Sequence, residues 1–237
     1  MNPIRVGACA LVLGLSAVGG PATASEQLYT YVVTHPLYGE IGTFTDNISR
    51  FDGVTRIDTR LRIAVRLLGI VAYREDADGT EVLRGNQLIS LHNLINKDGE
   101  RSAVVGQVQG EKFIVNSPLG TNAAPGTVAP SDPWLLKGTG RVTVVSTRTG
   151  RIVDVTVSGG EAVTIEIEGV PLRVRHFIVT GDKRQDIWLD DNHVPVMFRS
   201  MEDGTPIDFV LKEPLPQAVA SRLAAEQSMS EIGARGK

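Results

Sequence analysis

The fold of this chain is decided by the stretch VTRIDTRLRIAVRLL, which occupies residues 54–68. Its apolar side chains alternate with its charged ones along nearly the whole length. One parity holds Ile57, Thr59, Leu61, Ile63, Val65 and Leu67, and the other holds Arg56, Asp58, Arg60, Arg62 and Arg66. A period of two is that of a β-strand, because side chains on a helix repeat every 3.6 residues. One apolar and one charged face predict a strand in an antiparallel sheet whose outer face is in water.

Turn signals separate further alternating segments. Asp-Gly pairs occur at 52–53, 78–79, 98–99 and 203–204, and single glycines stand at 110, 150, 169 and 181. Asp-Gly favours the two-residue hairpin turn in which both central residues have positive φ. The predicted strands are 28–34, 40–50, 54–68 continuing through a bend at Gly69 to residue 74, 81–96 with a break near Gly85, 101–109, 111–116, 141–146, 151–158, 161–168, 170–180, 183–189, 194–200 and 206–212.

These segments predict an all-β protein, either a strongly curved antiparallel meander or a partly closed β-barrel, because strands of this length twist and coil. A single β domain is expected over residues 25–212. Residues 117–133 are rich in proline and glycine, so we expect an irregular connection, either a functional flap or a linker, that Trp134 docks onto the core. Residues 213–237 are expected to form a weak C-terminal helix or a mobile tail.

The first 24 residues predict a cleavable secretory signal peptide. A short segment with one basic residue, Arg5, precedes an apolar run at 6–18 and the small residues Ala22-Thr23-Ala24. That order is typical of export signals, and we expect cleavage after Ala24 and a periplasmic or secreted protein. The apolar run is too short to span a bilayer, so no transmembrane segment is expected in the mature chain. The only cysteine, Cys9, lies within the signal, so the exported domain is expected to hold no disulfide.

The composition argues against several classes of partner. The formal net charge of −3 gives no electrostatic footprint for nucleic acid. The sequence contains no glycine-rich phosphate motif, and we expect no cofactor. It contains neither Gly-x-Ser-x-Gly nor Ser-x-x-Lys, and we assign no catalytic residue. An enzymatic role is therefore uncertain and is disfavoured.

The four histidines and one polar turn are the remaining candidates for a catalytic or metal-binding role. His176 and His92 lie on predicted strand faces, and His35 precedes a proline in a loop. The segment Asp190-Asp191-Asn192-His193 offers groups that can ligate a metal, but the same residues are typical of a hairpin turn. We favour the turn and predict no metal site, because no second ligand cluster stands at suitable spacing.

The arginine-rich face of residues 54–68 has two interpretations. It can line the concave side of the sheet and bind an anionic head group or a partner's carboxylates. It can instead be a solvated outer face whose arginines pair with cross-strand acids such as Glu166 and Glu168. We favour the second, since exposed faces of antiparallel strands are commonly charged.

From residue 28 to residue 211 the chain resembles a family of exported bacterial domains of unknown function. The resemblance is carried by LYTYVV at 28–33, GEIG at 39–42, LGIVAYR at 68–74, WLD at 188–190, VMF at 196–198 and DGTPI at 203–207. Where that family has an aromatic after the tryptophan and a glycine in the next turn, this chain has Leu189 and Asn192-His193. The resemblance implies a periplasmic antiparallel β domain without catalytic residues. A more distant similarity to periplasmic proteins with curved sheets, some of which hold lipids, concerns the fold alone.

The leading hypothesis for function is a module that binds an apolar or amphipathic, lipid-like molecule in the hollow of the sheet. Tyr73, Trp134 and Trp188 are the predicted ligand-binding residues, because they are aromatic and lie near strand ends. The alternative is an envelope module that binds or assembles with another protein through a sheet edge or the C-terminal segment. An uncharacterised hydrolase is the third hypothesis.

Overall fold

A computed structural model describes residues 25–85, 87–135, 138–216, 219–221 and 224. These described residues form fifteen β-strands: β1 Ser25–His35, β2 Gly39–Phe51, β3 Val54–Leu67, β4 Ile70–Arg84, β5 Gln87–Lys97, β6 Glu100–Gln109, β7 Lys112–Ser117, β8 Gly120–Pro125, β9 Ala129–Pro130, β10 Gly140–Val145, β11 Ile152–Ile167, β12 Val170–Thr180, β13 Arg184–Leu189, β14 Pro195–Glu202 and β15 Thr205–Glu213. One 3-10 turn, Pro133–Leu135, precedes β10.

All fifteen strands belong to one sheet, and its centre is the pair formed by β1 and β15. From β1 the sheet runs through β2 to β8, and from β15 it runs back through β14 to β9. Neighbours are antiparallel except the short pair of β9 and β10. The two edges of the sheet, β8 and β9, are therefore consecutive in the chain. The prediction of an all-β antiparallel meander is confirmed.

The sheet curls so that its two arms meet without completing a barrel. In the described residues no ladder joins β8 to β9. The arms are tied instead by side-chain hydrogen bonds: the Asn93 side chain donates to the Thr147 carbonyl at 2.7 Å, and Arg148 Nη2 donates to Glu75 Oε2 at 2.6 Å. The interior between the arms is therefore enclosed by the curvature of the sheet.

Three of the four Asp-Gly turns are confirmed, and the fourth prediction is wrong. The pairs at 52–53, 98–99 and 203–204 have positive φ at both residues and close hairpins. Asp78-Gly79 lies instead in the middle of β4, paired across from residues 94 and 93 of β5. The turns that bound β4 are at Leu68-Gly69, where both residues have positive φ, and at Gly85. The predicted bend at Gly69 is therefore a hairpin.

Two other segments also differ from the prediction. The glycine pair 159–160 does not separate two strands, because β11 continues through it with a bulge. Residues 117–133 are not wholly irregular, since they form both edge strands. Proline is tolerated there because the outward side of an edge strand has no ladder to donate to.

The inward faces of the strands form the core. Its largest fully buried side chain is Tyr31 of β1, whose hydroxyl donates to the Pro195 carbonyl at 2.9 Å. On β3 the alternation is confirmed, since Ile57 is buried and the residues of its parity face inward. The arginines face outward, and Arg56, Arg60 and Arg62 pair with aspartates of β3 and β4, as Arg62 does with Asp78 at 2.8 Å. The charged outer face is thus confirmed, although its partners are not Glu166 and Glu168.

Two predictions concern the ends of the chain. The predicted signal peptide, residues 1–24, lies outside the described residues, as does most of the predicted C-terminal helix. The chain is helical at 219–221 and 224, and Val219 is buried in the core. None of the helical segments that the structure describes has the length and apolar character needed to cross a membrane.

Candidate functional site

A cavity of about 660 Å³ opens inside the curl of the sheet. Strands β2 to β5 form one wall, β14 and β15 form the other, and residues 131–133 and 147–148 contribute from the second arm. The main apolar lining residues are Phe44, Leu61, Ile63, Val65, Ile207 and Phe209. This volume lies within the range of about 300 to 1,000 Å³ that is typical of small-molecule sites.

Strand β4 contributes acidic and very small residues in alternation. Glu75, Ala77, Gly79 and Glu81 are successive inward positions, and all four line the cavity. The two central residues carry almost no side chain, so space remains between the two carboxyl groups. A strand rises about 3.3 Å per residue, which separates the two glutamates by roughly 20 Å along β4. The cavity therefore has an acidic group towards each end.

Three carboxyl groups lie in a buried environment at the floor of the cavity, where Glu81 and Asp132 line it and Asp46 lies against the lining residue Thr59. Asp46 is fully buried and accepts hydrogen bonds from the Thr59 hydroxyl at 2.7 Å and the Trp134 indole at 2.9 Å. Glu81 is 4% exposed, and its Oε2 has no hydrogen-bond partner in the described part of the chain. Asp132 accepts a hydrogen bond from the Trp134 amide at 2.8 Å. These three groups form the floor cluster.

Burial controls the protonation of the floor cluster. It is the main cause that raises the pKa of Asp46 and of Glu81 well above their usual values, and the negative charge of Asp132 raises both further. The residue Asp132 is itself partly exposed, but the protein around its carboxyl group raises its pKa to about 6. The floor therefore retains protons at a pH at which exposed carboxyl groups have lost them.

A second polar group lies nearer the mouth, around Glu75. This side chain is 1% exposed. Its Oε2 accepts hydrogen bonds from the Tyr73 hydroxyl and from Arg148 Nη2, the latter at 2.6 Å. Arg148 also contacts Glu202 at 3.5 Å. Burial and the bond to Glu75 raise the pKa of Tyr73, so its hydroxyl remains a donor. Because Arg148 comes from the turn between β10 and β11, this group joins the two arms.

The mouth carries an exposed apolar hairpin tip, formed by residues 67–71 between β3 and β4. Leu67 both lines the cavity and is exposed. Leu68, Ile70 and Val71 are also exposed, and Leu68 completely so. Apolar groups at such exposure mark contact surfaces when they are contiguous.

A smaller cavity of about 380 Å³ adjoins the first. Its walls are valines of β10, β11 and β12, including Val144, Val155 and Val179. Arg148 and Glu202 line both cavities and therefore stand at the boundary between them.

The three aromatic residues predicted as ligand contacts do not lie together. Tyr73 lines the larger cavity. Trp134 packs on Tyr29, with ring centroids 4.1 Å apart, and supports the floor cluster through its hydrogen bond to Asp46. Trp188 lines neither cavity and stacks on His176 at 4.7 Å.

The histidines are also distributed over the sheet. His35 lines the larger cavity, and His176 Nε2 lies 2.9 Å from Asp186 Oδ1. His92 is exposed on β5, and His193 is exposed in a turn. Only His35 therefore lines either of the two cavities.

The polar turn at 190–193 is confirmed as a turn. Asp190 Oδ1 accepts hydrogen bonds from the amides of Asn192 and Val194, at 2.9 and 2.8 Å. Its carboxylate is thus used to hold the backbone. The described residues contain no group of three or more potential ligands arranged for a metal ion.

The floor cluster and the acidic strand β4 were not predicted from the sequence. The signal was present as the alternation Glu75-x-Ala77-x-Gly79-x-Glu81. It was hidden because Asp78-Gly79 was interpreted as a turn, which ends the strand in the middle of the pattern.

Comparison with known proteins gives the family and the fold. A search of curated proteins found no match. A solved structure, the β-barrel-like protein of domain of unknown function DUF1849 from Brucella abortus, is similar with a TM-score of 0.61 at 12% sequence identity, covering 79% of this chain and 95% of that one. At this identity the similarity concerns the fold alone. The family model of DUF6134, a domain of unknown function, matches residues 39–212. This agrees with the resemblance of the sequence to a family of unknown function. The chain therefore belongs to the DUF6134 family.

Proposed function

We propose that this protein is an exported binding module that holds an apolar or amphipathic molecule in the larger cavity. The observation that carries the proposal is the cavity of about 660 Å³ inside the sheet. A filled interior is the rule in proteins, which pack their cores densely, so an open hollow of this size points to an occupant.

The lining supports an amphipathic occupant. Phe44, Leu61 and Ile207 supply an apolar wall, while Glu75 and Glu81 supply polar groups at separate depths. The exposed hairpin tip at the mouth adds an apolar surface next to the opening. This arrangement suits an amphipathic molecule that enters the cavity from a membrane or from another carrier protein, with either its tail or its head group first.

Binding of the neutral, apolar fluorophore N-phenyl-1-naphthylamine tests the proposal. The purified protein is expected to enhance its fluorescence saturably, and Ala77→Trp, which fills the middle of the cavity, is expected to weaken binding at least tenfold. Leu94→Trp adds the same side chain to the exposed face of β5 and is expected to leave binding unchanged. Circular dichroism checks that both variants fold. Equal binding by all three proteins, or none by the wild type, would contradict the proposal.

The exposed hairpin tip favours a second candidate, a module that binds another envelope protein. Four exposed apolar residues lie together at the hairpin tip, and Leu68 is completely exposed. A photo-crosslinking residue placed at Ile70 in cells is expected to capture one discrete protein under this hypothesis, and Leu68→Ser is expected to abolish the capture. Absence of a discrete adduct at Ile70 would remove this candidate.

A further inference from the structure

The floor cluster has three carboxyl groups and, among the described residues, no lysine or arginine paired with them. In the ranges that the structure describes, no arginine or lysine forms an ion pair with Asp46, Glu81 or Asp132 within 4.0 Å. Buried carboxylates are normally paired or fully hydrogen-bonded, because burial of an unpaired polar group costs free energy. A positive charge at this floor would therefore be stabilised.

Glu81 is the member of the cluster with unused capacity. Asp46 is bonded to Thr59 and Trp134, and Asp132 is bonded to the Trp134 amide. Glu81 Oε2 is buried and unpartnered, and the residue lines the cavity. Unsatisfied buried oxygens are rare in native proteins, and one that lines a ligand-sized cavity is suited to accept a hydrogen bond from the occupant.

The basic groups of the cavity lie at the other end. Arg148 is bonded to Glu75 and contacts Glu202, and Lys97 lies over the Tyr73 ring at 5.5 Å. Lys97 is paired across from Glu75 in the sheet, whereas Glu81 is paired across from the apolar Leu91. Among the described residues that line the cavity, the lysine and the arginine thus lie around Glu75, and a positive charge beside Glu81 would be supplied by the ligand.

We propose that the ligand is an amphipathic amine whose ammonium group binds Glu81 on the floor, with its apolar chain extending along Phe44, Leu61 and Ile63 towards the mouth. This inference rests on the proposed function. An ammonium favours the ionised form of Glu81, which releases its proton to solvent on binding, and it donates charge-assisted hydrogen bonds, which are stronger than neutral ones. A long-chain carboxylate of the same length is disfavoured, because its head would meet the two acidic groups that line the floor, Glu81 and Asp132.

Displacement of N-phenyl-1-naphthylamine by three probes with the same chain tests the inference at about pH 8: dodecylamine, dodecanol and dodecanoate, each below its aggregation concentration. For each probe we take the concentration that displaces half of the fluorophore, and the readout is the value for dodecanol divided by the value for dodecylamine. A change in the cavity that affects both probes equally cancels in this ratio. We expect dodecylamine to displace at least about tenfold more tightly than dodecanol, and dodecanoate to be the weakest of the three.

Two matched variants locate the effect. In Glu81→Gln, which has nearly the same shape, the ratio is expected to fall below about threefold, because the amide does not attract an ammonium by charge. Glu111→Gln removes a carboxylate from an exposed position and is expected to keep the ratio of the wild type.

Each outcome has one meaning. If all three probes displace the fluorophore equally, or if Glu81→Gln keeps the full amine preference, the inference is overturned while the proposed function stands. If the wild type binds neither the fluorophore nor any probe, the proposed function itself fails. Should Glu81→Gln not fold, the order of the three probes on the wild type still decides the preference for an amine.

Discussion

Replacement of Asp132 by asparagine is expected to stabilise the protein at neutral and higher pH. Asparagine keeps an oxygen in the place of Oδ1, which accepts the hydrogen bond from the Trp134 amide at 2.8 Å. It removes only the ionisable group. The effect therefore isolates the free energy of holding a carboxyl group at the floor of the cavity.

The pKa of Asp132 sets the magnitude. The pKa rises from 3.8 to about 6 on folding because burial disfavours the charged form, and one pKa unit corresponds to about 1.4 kcal/mol. The folded state therefore binds more protons than the unfolded state between about pH 4 and pH 6, so stability falls as pH rises through this window. The loss reaches roughly 3 kcal/mol above pH 6. Asp132→Asn has no ionisable group at this position, so its free energy of unfolding does not fall for this reason as pH rises.

Urea unfolding followed by tryptophan fluorescence measures the difference. At about pH 3.5 the wild type and Asp132→Asn are expected to have the same free energy of unfolding, and at about pH 8 the variant is expected to be more stable by up to roughly 3 kcal/mol. Asp191→Asn, in an exposed turn, serves as the control and is expected to change stability little at either pH. A variant that is no more stable than the wild type at pH 8 would refute the reasoning, and so would a difference that does not depend on pH.

Three further predictions concern the core, the sheet and the N-terminus. Tyr31→Phe leaves the Pro195 carbonyl without its donor and is expected to cost about 1 to 3 kcal/mol in denaturant unfolding. Gly42→Ala places a methyl carbon 1.9 Å from the carbonyl oxygen of Arg62. Because that oxygen belongs to the backbone, the loss is expected to be about 3 kcal/mol or more, seen as a fall in Tm. Expression of the full chain in a bacterium with a periplasm is expected to yield a protein that begins at residue 25 by mass spectrometry.

Each of these has a control and a contrary result. Tyr29→Phe removes a hydroxyl that donates to the nearby Gln27 side chain and is expected to cost less than Tyr31→Phe; the reverse order would contradict the assigned role of Tyr31. Thr43→Ala changes an exposed neighbour of Gly42 and is expected to have little effect on Tm. An intact N-terminus in the periplasmic or cytoplasmic fraction would contradict export with cleavage.

The strands were predictable wherever alternation and turn chemistry agreed. Residues 54–67 form β3 because an apolar parity faces the interior and a charged parity faces water. The hairpins at 52–53 and 98–99 followed from Asp-Gly, which accepts positive φ at both positions. The prediction failed at Asp78-Gly79, where the same dipeptide lies inside β4, paired with β3 on one side and with β5 on the other.

The site itself was less predictable than the fold. Glu81 and Asp132 come from β4 and from the loop before the 3-10 turn, and their proximity depends on how far the sheet curls. Curvature arises from twist summed over many strands, and local sequence patterns do not encode its total. Tyr73 and Trp188 were predicted as ligand contacts on the same ground, an aromatic side chain near a strand end. Tyr73 lines the larger cavity, whereas Trp188 lies in a different part of the sheet and stacks on His176.

The pairing of β1 with β15 brings residue 30 opposite residue 213, while the two free edges, β8 and β9, are joined by only a few residues. A circular permutant has its original N- and C-termini joined and a new break elsewhere. With the break at residues 126–128, the strands would follow one another along the chain in the same order as they lie in the sheet. Every ladder would then connect neighbours in sequence, and the one long-range pairing would become local. Folding rates rise as contacts become more local, so such a permutant is expected to fold faster than the natural chain.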